Sequence, residues 1–211
     1  MPTGNFGNIF AGYVAKSMGL PVRHLILATN SNDILTRYFN SGLYSREQVF
    51  YSESPAMDIQ VASNFERYLF YQLDQSTSKV SQFMEEFKST GVINLKAIWS
   101  NQDTTFLAGA ASDQETLDTI KQFRQRYNYL VDPHTAVGIS VAQKLHVDDI
   151  PLLCVSTAHP AKFDRAMQTA LPDEIVQHPT LSKLENLPER KHSMSVDEHS
   201  IKAFIADRAI E

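Results

Sequence analysis

The stretch Pro2-Thr3-Gly4-Asn5-Phe6-Gly7-Asn8 sets glycines and asparagines around one phenylalanine, directly ahead of an apolar-periodic run. Glycine permits close backbone approach and positive φ. A Gly/Asn turn that opens a helix lines up backbone N–H groups as an anion nest, and the helix dipole reinforces it. Phosphate binding is one reading of this pattern, and a plain helix-entry turn is the other. It is neither G-x-G-x-x-G nor a Walker loop, which weakens a nucleotide reading. A second stretch, Cys154-Val155-Ser156-Thr157-Ala158-His159-Pro160-Ala161-Lys162-Phe163, reads as a strand end followed by a helix start. Ligands of open α/β sheets sit outside the carboxyl ends of strands. There the Thr157 hydroxyl suits a heteroaromatic nitrogen and Lys162 suits an anion. The alternative is that His159 caps the helix and Lys162 is solvated.

Two further junctions, Thr29–Asp33 and Asp132–Gly138, read first as helix starts, with Asn32 or Asp33 and then Asp132 as N-caps and His134 on the first turn. The seven histidines show no metal-ligand spacing, so no metal site is expected. The single cysteine, Cys154, lies in an apolar run and reads as a buried, inert thiol.

The elements that must position these residues follow from periodicity. Ile9, Phe10, Tyr13 and Val14 share a stripe and predict a helix over 8–18, stopped by Gly19. Residues 22–29 read as a buried strand, 105–112 as a weaker one and 151–157 as a second good one. Further helices are expected after Asp33 up to Gly42, over 64–73 and over 78–89 before Gly91. Ser112 and Glu115 form a capping box for a helix to about Tyr127, and Asp132-Pro133 opens the next. One more starts at His159-Pro160. The more polar tail offers helices near 179–187 and 197–209, the latter with a Ser195–Glu198 capping box.

Strands alternating with helices predict an α/β fold, a parallel sheet flanked by helices. The expected organisation is an α/β region over 1–171 and a helical tail over 172–211. Net charge of -5 gives no basic footprint for nucleic acid, and no apolar run is long enough to span a membrane. A cytoplasmic location is the default expectation.

Taken together, PTGNFGN, KSMGLPV, ATNSND, AMDI, DPHTAVG and STAHPAKF resemble, in order and rough spacing, the threonine synthases of bacteria and fungi, over residues 2 to about 171. The resemblance implies part of a tryptophan-synthase-β-like fold, that of fold type II enzymes using pyridoxal 5′-phosphate. It implies a lyase that converts O-phosphohomoserine and water to L-threonine and phosphate. The family's phosphate-binding loop falls on Gly4, Asn5, Phe6, Gly7 and Asn8, and its partner for the pyridine nitrogen on Thr157. His159 and Lys162 fall on the substrate side.

In the family, the Schiff-base lysine precedes the glycine-rich loop in a Phe-Lys-Asp-like context. None of the lysines here, at 16, 79, 88, 96, 121, 144, 162, 183, 191 and 202, has that context. The resemblance therefore implies a C-terminal piece without a catalytic residue of its own, lacking the N-terminal strands and most of the substrate-binding half. The alternative from another class is an inactive fragment acting as a phosphate-ligand binding or association module. A parallel sheet stripped of neighbours exposes an apolar edge, so self-association or a remodelled edge is expected.

Overall fold

The computed structural model describes residues 1–96, 105–146, 150–184 and 187–209. The chain divides into two compact units, Met1–Val176 and Gln177–Glu211.

In the first unit, α1 (Gly7–Ser17) leads through a turn at Gly19 to β1 (Leu25–Thr29) and α2 (Ile34–Ser41). A short antiparallel ribbon joins β2 (Leu43–Ser45) to β3 (Val92–Asn94), with α3 (Phe65–Gln72) and α4 (Thr77–Thr90) between them in sequence. Then come β4 (Phe106–Ala110), α5 (Asp113–Tyr127), α6 (Pro133–Leu145) and α7 (Asp164–Ala170). β1 and β4 pair in parallel, from Leu25 opposite Phe106 to Thr29 opposite Ala110. On the other edge of β1, residues 1–3 run as a short third parallel segment. Ala28 N–H donates to the Met1 carbonyl at 3.1 Å, and Thr3 N–H donates to the Ala28 carbonyl at 2.8 Å. The expected parallel sheet with flanking helices is present.

Helix α6 explains why this small sheet holds. Every residue from Pro133 to Ala142 is buried, so the helix is enclosed all round rather than amphipathic. Two glycines let it close on the strands. A Cβ on Gly109 of β4 would stand 2.9 Å from Val141 Cγ1, and one on Gly138 of α6 would stand 3.1 Å from Pro2 Cδ. On the opposite side an aromatic cluster fills the core. Phe6 stacks on Phe39 at 5.8 Å and meets Phe65 edge-on at 5.7 Å, and Phe106 lies 4.6 Å from Phe39. Tyr44 joins this core through Phe65, and burial pushes its hydroxyl up to about 12 although it accepts the Ala62 N–H.

Several local expectations are met. Ser112 and Glu115 form the capping box of α5, and Asp132 caps α6 by accepting from the His134 and Thr135 N–H groups. Others need correction. The run 151–157 forms no strand: no segment among the described residues offers it a ladder, and Leu153 is 82 % exposed. Apolar composition alone cannot make a strand without a pairing partner. Cys154 within it is half-buried, and burial pushes its thiol above the ordinary range. β1 starts at Leu25 rather than at residue 22, because Val22 and Arg23 turn their carbonyls to Lys16 Nζ. Asp33 stands at the N-cap of α2 but caps nothing; its carboxylate pairs with Arg37 at 2.8 Å. The helix expected from Pro160 is a 3-10 turn, Pro160–Lys162, with α7 starting afterwards.

The second unit contains α8 (Pro179–Leu184) and α9 (Glu198–Arg208). Residues 185 and 186 of the helix expected over 179–187 lie outside the described residues. α9 is capped by Asp197, which accepts the Ser200 N–H at 2.7 Å, in place of the expected Ser195–Glu198 box. None of its described residues is buried. Among the described residues no helix is long and apolar enough to cross a membrane.

Candidate functional site

The carboxyl ends of three parallel segments, residues 1–3, β1 and β4, lie side by side and release the chain at Gly4, Asn30 and Ala111. The Gly4–Asn8 loop enters α1 through Phe6, whose φ of 68° and ψ of 3° are left-handed. That strain for a bulky residue is offset by full burial of its ring in the aromatic core. Asn5 Oδ1 accepts the Gly7 N–H at 2.9 Å, and its carbonyl accepts from Asn64 N–H at 3.0 Å. Among the described residues, the N–H groups of Gly4, Asn5, Phe6 and Asn8 find no protein acceptor. No acidic side chain stands in the first turn of α1 to neutralise the helix dipole. Gly4 is wedged against the chain at 56–59: a Cβ there would meet the Ala56 carbonyl at 3.0 Å and Ile59 Cδ1 at 3.1 Å.

The second polar cluster on this edge behaves differently. Asp58 Oδ1 accepts from Asn30 Nδ2 at 2.8 Å, Asn32 Nδ2 at 3.0 Å and Ser52 Oγ at 2.6 Å. Its Oδ2 accepts the Ser52 N–H at 3.0 Å. Asn30 Oδ1 in turn accepts the Asn32 N–H. The cluster is satisfied internally and straps residues 50–58 over the end of β1.

A third group links the loop to the other predicted residues. His134 Nε2 accepts the Ala56 N–H at 3.1 Å, and its Nδ1 faces Asp132 Oδ1 at 3.2 Å. Burial alone would raise the Asp132 carboxyl, but hydrogen bonds from His134 and Thr135 outweigh it and hold the group below its ordinary value. Thr135 Oγ1 donates to Asp132 Oδ2 and accepts the Thr157 N–H at 3.4 Å. Thr157 itself is exposed, and its hydroxyl has no protein partner among the described residues. Exposed His159 accepts the Ala161 N–H on Nδ1 at 3.1 Å and so caps the 3-10 turn that carries exposed Lys162. Phe163, next in the chain, packs on the His134 ring at 4.6 Å.

The structure thus connects the loop, Thr157 and the His159–Lys162 turn through His134, Asp132 and Thr135. No hydrogen bond joins the loop directly to Thr157. In the sequence, Asp132 reads only as a cap and His134 only as a first-turn residue. Neither has a local signal for its second role, because the partner Ala56 lies 78 positions earlier. Asp58 carried no chemical signal of its own in AMDI.

Residues 135–205 match the family described as "Threonine synthase, C-terminal". The threonine synthase of Schizosaccharomyces pombe is 42% identical over 197 residues, covering 81% of this chain and 38% of the relative. That of Pseudomonas aeruginosa is 39% identical over 212 residues, covering 98% of this chain and 45% of the relative. The chain thus spans less than half the length of these curated relatives. The crystal structure of pyridoxal-phosphate-bound threonine synthase from Brucella melitensis superimposes with a TM-score of 0.86 at 39% identity, over 99% of this chain and 46% of that one. Yeast threonine synthase gives a TM-score of 0.85 at 37% identity, over 98% and 46%. Sequence and fold together place the chain in the threonine synthase family, as the counterpart of a C-terminal portion of its members.

Proposed function

We propose that this chain supplies the cofactor-phosphate and pyridine contacts of a cytoplasmic threonine synthase, which converts O-phosphohomoserine and water to L-threonine and phosphate with pyridoxal 5′-phosphate. The observation that carries the reading is the set of N–H groups at Gly4, Asn5, Phe6 and Asn8, left without acceptors at an uncompensated helix N-terminus. Gly4 fits the same reading: the absent side chain keeps the loop low against Ala56 and its outer face clear. The loop amides hold the phosphate. The Thr157 hydroxyl, without a protein partner among the described residues, donates to the pyridine nitrogen. Lys162 and His159, on an exposed turn beside Thr157, meet the substrate. When bound, the cofactor supplies the electron sink for carbanion chemistry on the amino acid.

Two of the lysines are committed to other partners. Lys16 Nζ donates to the Val22 carbonyl at 2.6 Å, and Lys144 pairs with Glu115. Because none of the ten lysines stands in the Phe-Lys-Asp-like context that the resemblance implies for the Schiff-base residue, the chain by itself binds the cofactor without a covalent anchor and does not turn over. The test is titration with pyridoxal 5′-phosphate followed at the backbone amides. Saturable shifts at Gly4–Asn8 and Thr157 support the reading; shifts confined to surface lysines refute it. Phosphate release from O-phosphohomoserine by this chain alone would refute the inactivity.

A second reading, self-association, is favoured by one feature. A cavity of about 350 Å³ is lined by Leu20, Leu25, Leu145, Leu152, Leu153 and Cys154, and Leu153 at its rim is 82 % exposed. An apolar rim of this kind is a contact surface for a second copy. Sedimentation should show a concentration-dependent dimer that Leu153→Asp weakens. A monomer at all concentrations rules it out.

A further inference from the structure

The proposed chemistry leaves one buried titratable side chain without a task. His134 is 5% exposed and sits on the first turn of α6. Because Nε2 accepts the Ala56 N–H, that nitrogen carries no proton. The ring proton is on Nδ1, directed at Asp132 Oδ1. Asp132 is itself fixed by the His134 and Thr135 N–H groups and by the Thr135 hydroxyl. An aspartate that orients a histidine in this way selects its tautomer as well as its angle.

What the oriented ring holds is the wall of the loop. Ala56 lies in the 3-10 turn Pro55–Met57, and its carbonyl and Met57 Cα stand 3.0 and 3.2 Å from where a Gly4 Cβ would be. The same helix turn holds the Thr157 N–H through Thr135, and the ring packs on Phe163 behind Lys162. One residue pair therefore sets the spacing between the loop and the segment 157–163.

We propose that His134, as the Nδ1–H tautomer fixed by Asp132, is a positioning residue that sets the shape of the Gly4–Asn8 anion cradle through the Ala56 N–H. The proposal rests on the reading of that loop as a phosphate site, and the full 211-residue chain tests the two separately. Imidazole nitrogen spectra of the wild type should put the proton on Nδ1; a proton on Nε2 overturns the proposal whatever the variants do. Without ligand, His134→Leu should speed Ala56 amide exchange by about tenfold or more and shift the Gly4–Phe6 amides. His134→Gln, whose Oε1 can still accept the Ala56 N–H, should stay within about threefold of wild type. Perturbation confined to residues 132–135 and Phe163 overturns the proposal, as does Ala56 exchange in the Gln variant as fast as in unprotected chain. The second arm titrates inorganic phosphate. His134→Leu should weaken binding at the loop about tenfold, as for other contacts that orient a binding shell from behind, with rescue by Gln. Unchanged affinity in the Leu variant overturns it. A wild-type chain that binds no phosphate refutes the cradle reading alone, since the ligand-free spectra decide the role of His134.

Discussion

Two polar clusters share the carboxyl edge of the same sheet and handle hydrogen bonds in opposite ways. Around Asp58, the amides of Asn30 and Asn32 and the Ser52 hydroxyl and N–H all close on one carboxylate. Around Gly4–Asn8, the N–H groups of Gly4, Asn5, Phe6 and Asn8 find no protein acceptor among the described residues; the Asn5 side chain accepts from Gly7, and the Asn64 side chain donates to the Asn5 carbonyl. A closed cluster contributes stability and leaves nothing for a ligand. An open cluster has given up that stability and becomes useful when an anion arrives. The difference separates a structural polar group from a binding one more surely than residue type does, since both are rich in asparagine.

The largest effect should come from opening the closed cluster. Asp58→Ala leaves the Asn30 and Asn32 amides without their shared acceptor and should lower stability by about 3 kcal/mol in urea unfolding. A loss below about 0.5 kcal/mol would mean that water replaces the carboxylate and that the cluster is less closed than it looks.

Gly4→Ala attacks the open cluster. Its Cβ would stand 3.0 Å from the Ala56 carbonyl and 3.2 Å from Met57 Cα, both backbone atoms that cannot swing aside. The expected cost is about 1–2 kcal/mol in stability. Phosphate affinity should fall by more than the stability loss implies, because the loop itself is displaced. Equal phosphate binding in the variant would separate Gly4 from the cradle.

Asp132 gives a pH dependence that sharpens the contrast. Its folded value lies below the ordinary 3.8, so its contribution to stability is fully present above that value and is lost as the pH falls through the folded one. Stability-versus-pH curves of the wild type and Asp132→Asn should therefore keep a constant separation above about pH 4 and converge as the pH falls from there through the folded value. Parallel curves across that range would show that the carboxylate is not held low by His134 and Thr135.

The smallest stability effect is expected at Thr157. It is exposed and its hydroxyl has no hydrogen-bond partner among the described residues, so Thr157→Val should change stability by less than about 0.5 kcal/mol. The same variant should weaken pyridoxal 5′-phosphate binding while leaving inorganic phosphate binding unchanged. Loss of both would make Thr157 part of the cradle rather than a partner of the ring.

Features set by neighbours in sequence were legible in advance. Ser112 and Glu115, Asp132 and Pro133, and the glycines at 19, 42 and 91 mark helix ends because caps and positive φ are short-range effects. The loop was legible as a turn for the same reason. Features set by distant partners were not. Phe6 reads as a spacer between glycines and asparagines, yet its ring anchors the aromatic core. Leu152 to Val155 have the composition of a buried strand, but strand formation depends on a partner that composition does not name. Asp58 and His134 become informative only when the chain brings residues 30, 52 and 56 to them.

The most direct test of the open cluster is a crystal structure of this chain grown with phosphate. The account predicts an anion within hydrogen-bond reach of the Gly4, Asn5, Phe6 and Asn8 N–H groups, with the Asp58 cluster unchanged. An ordered loop without an anion, in crystals that bind phosphate elsewhere, would contradict it.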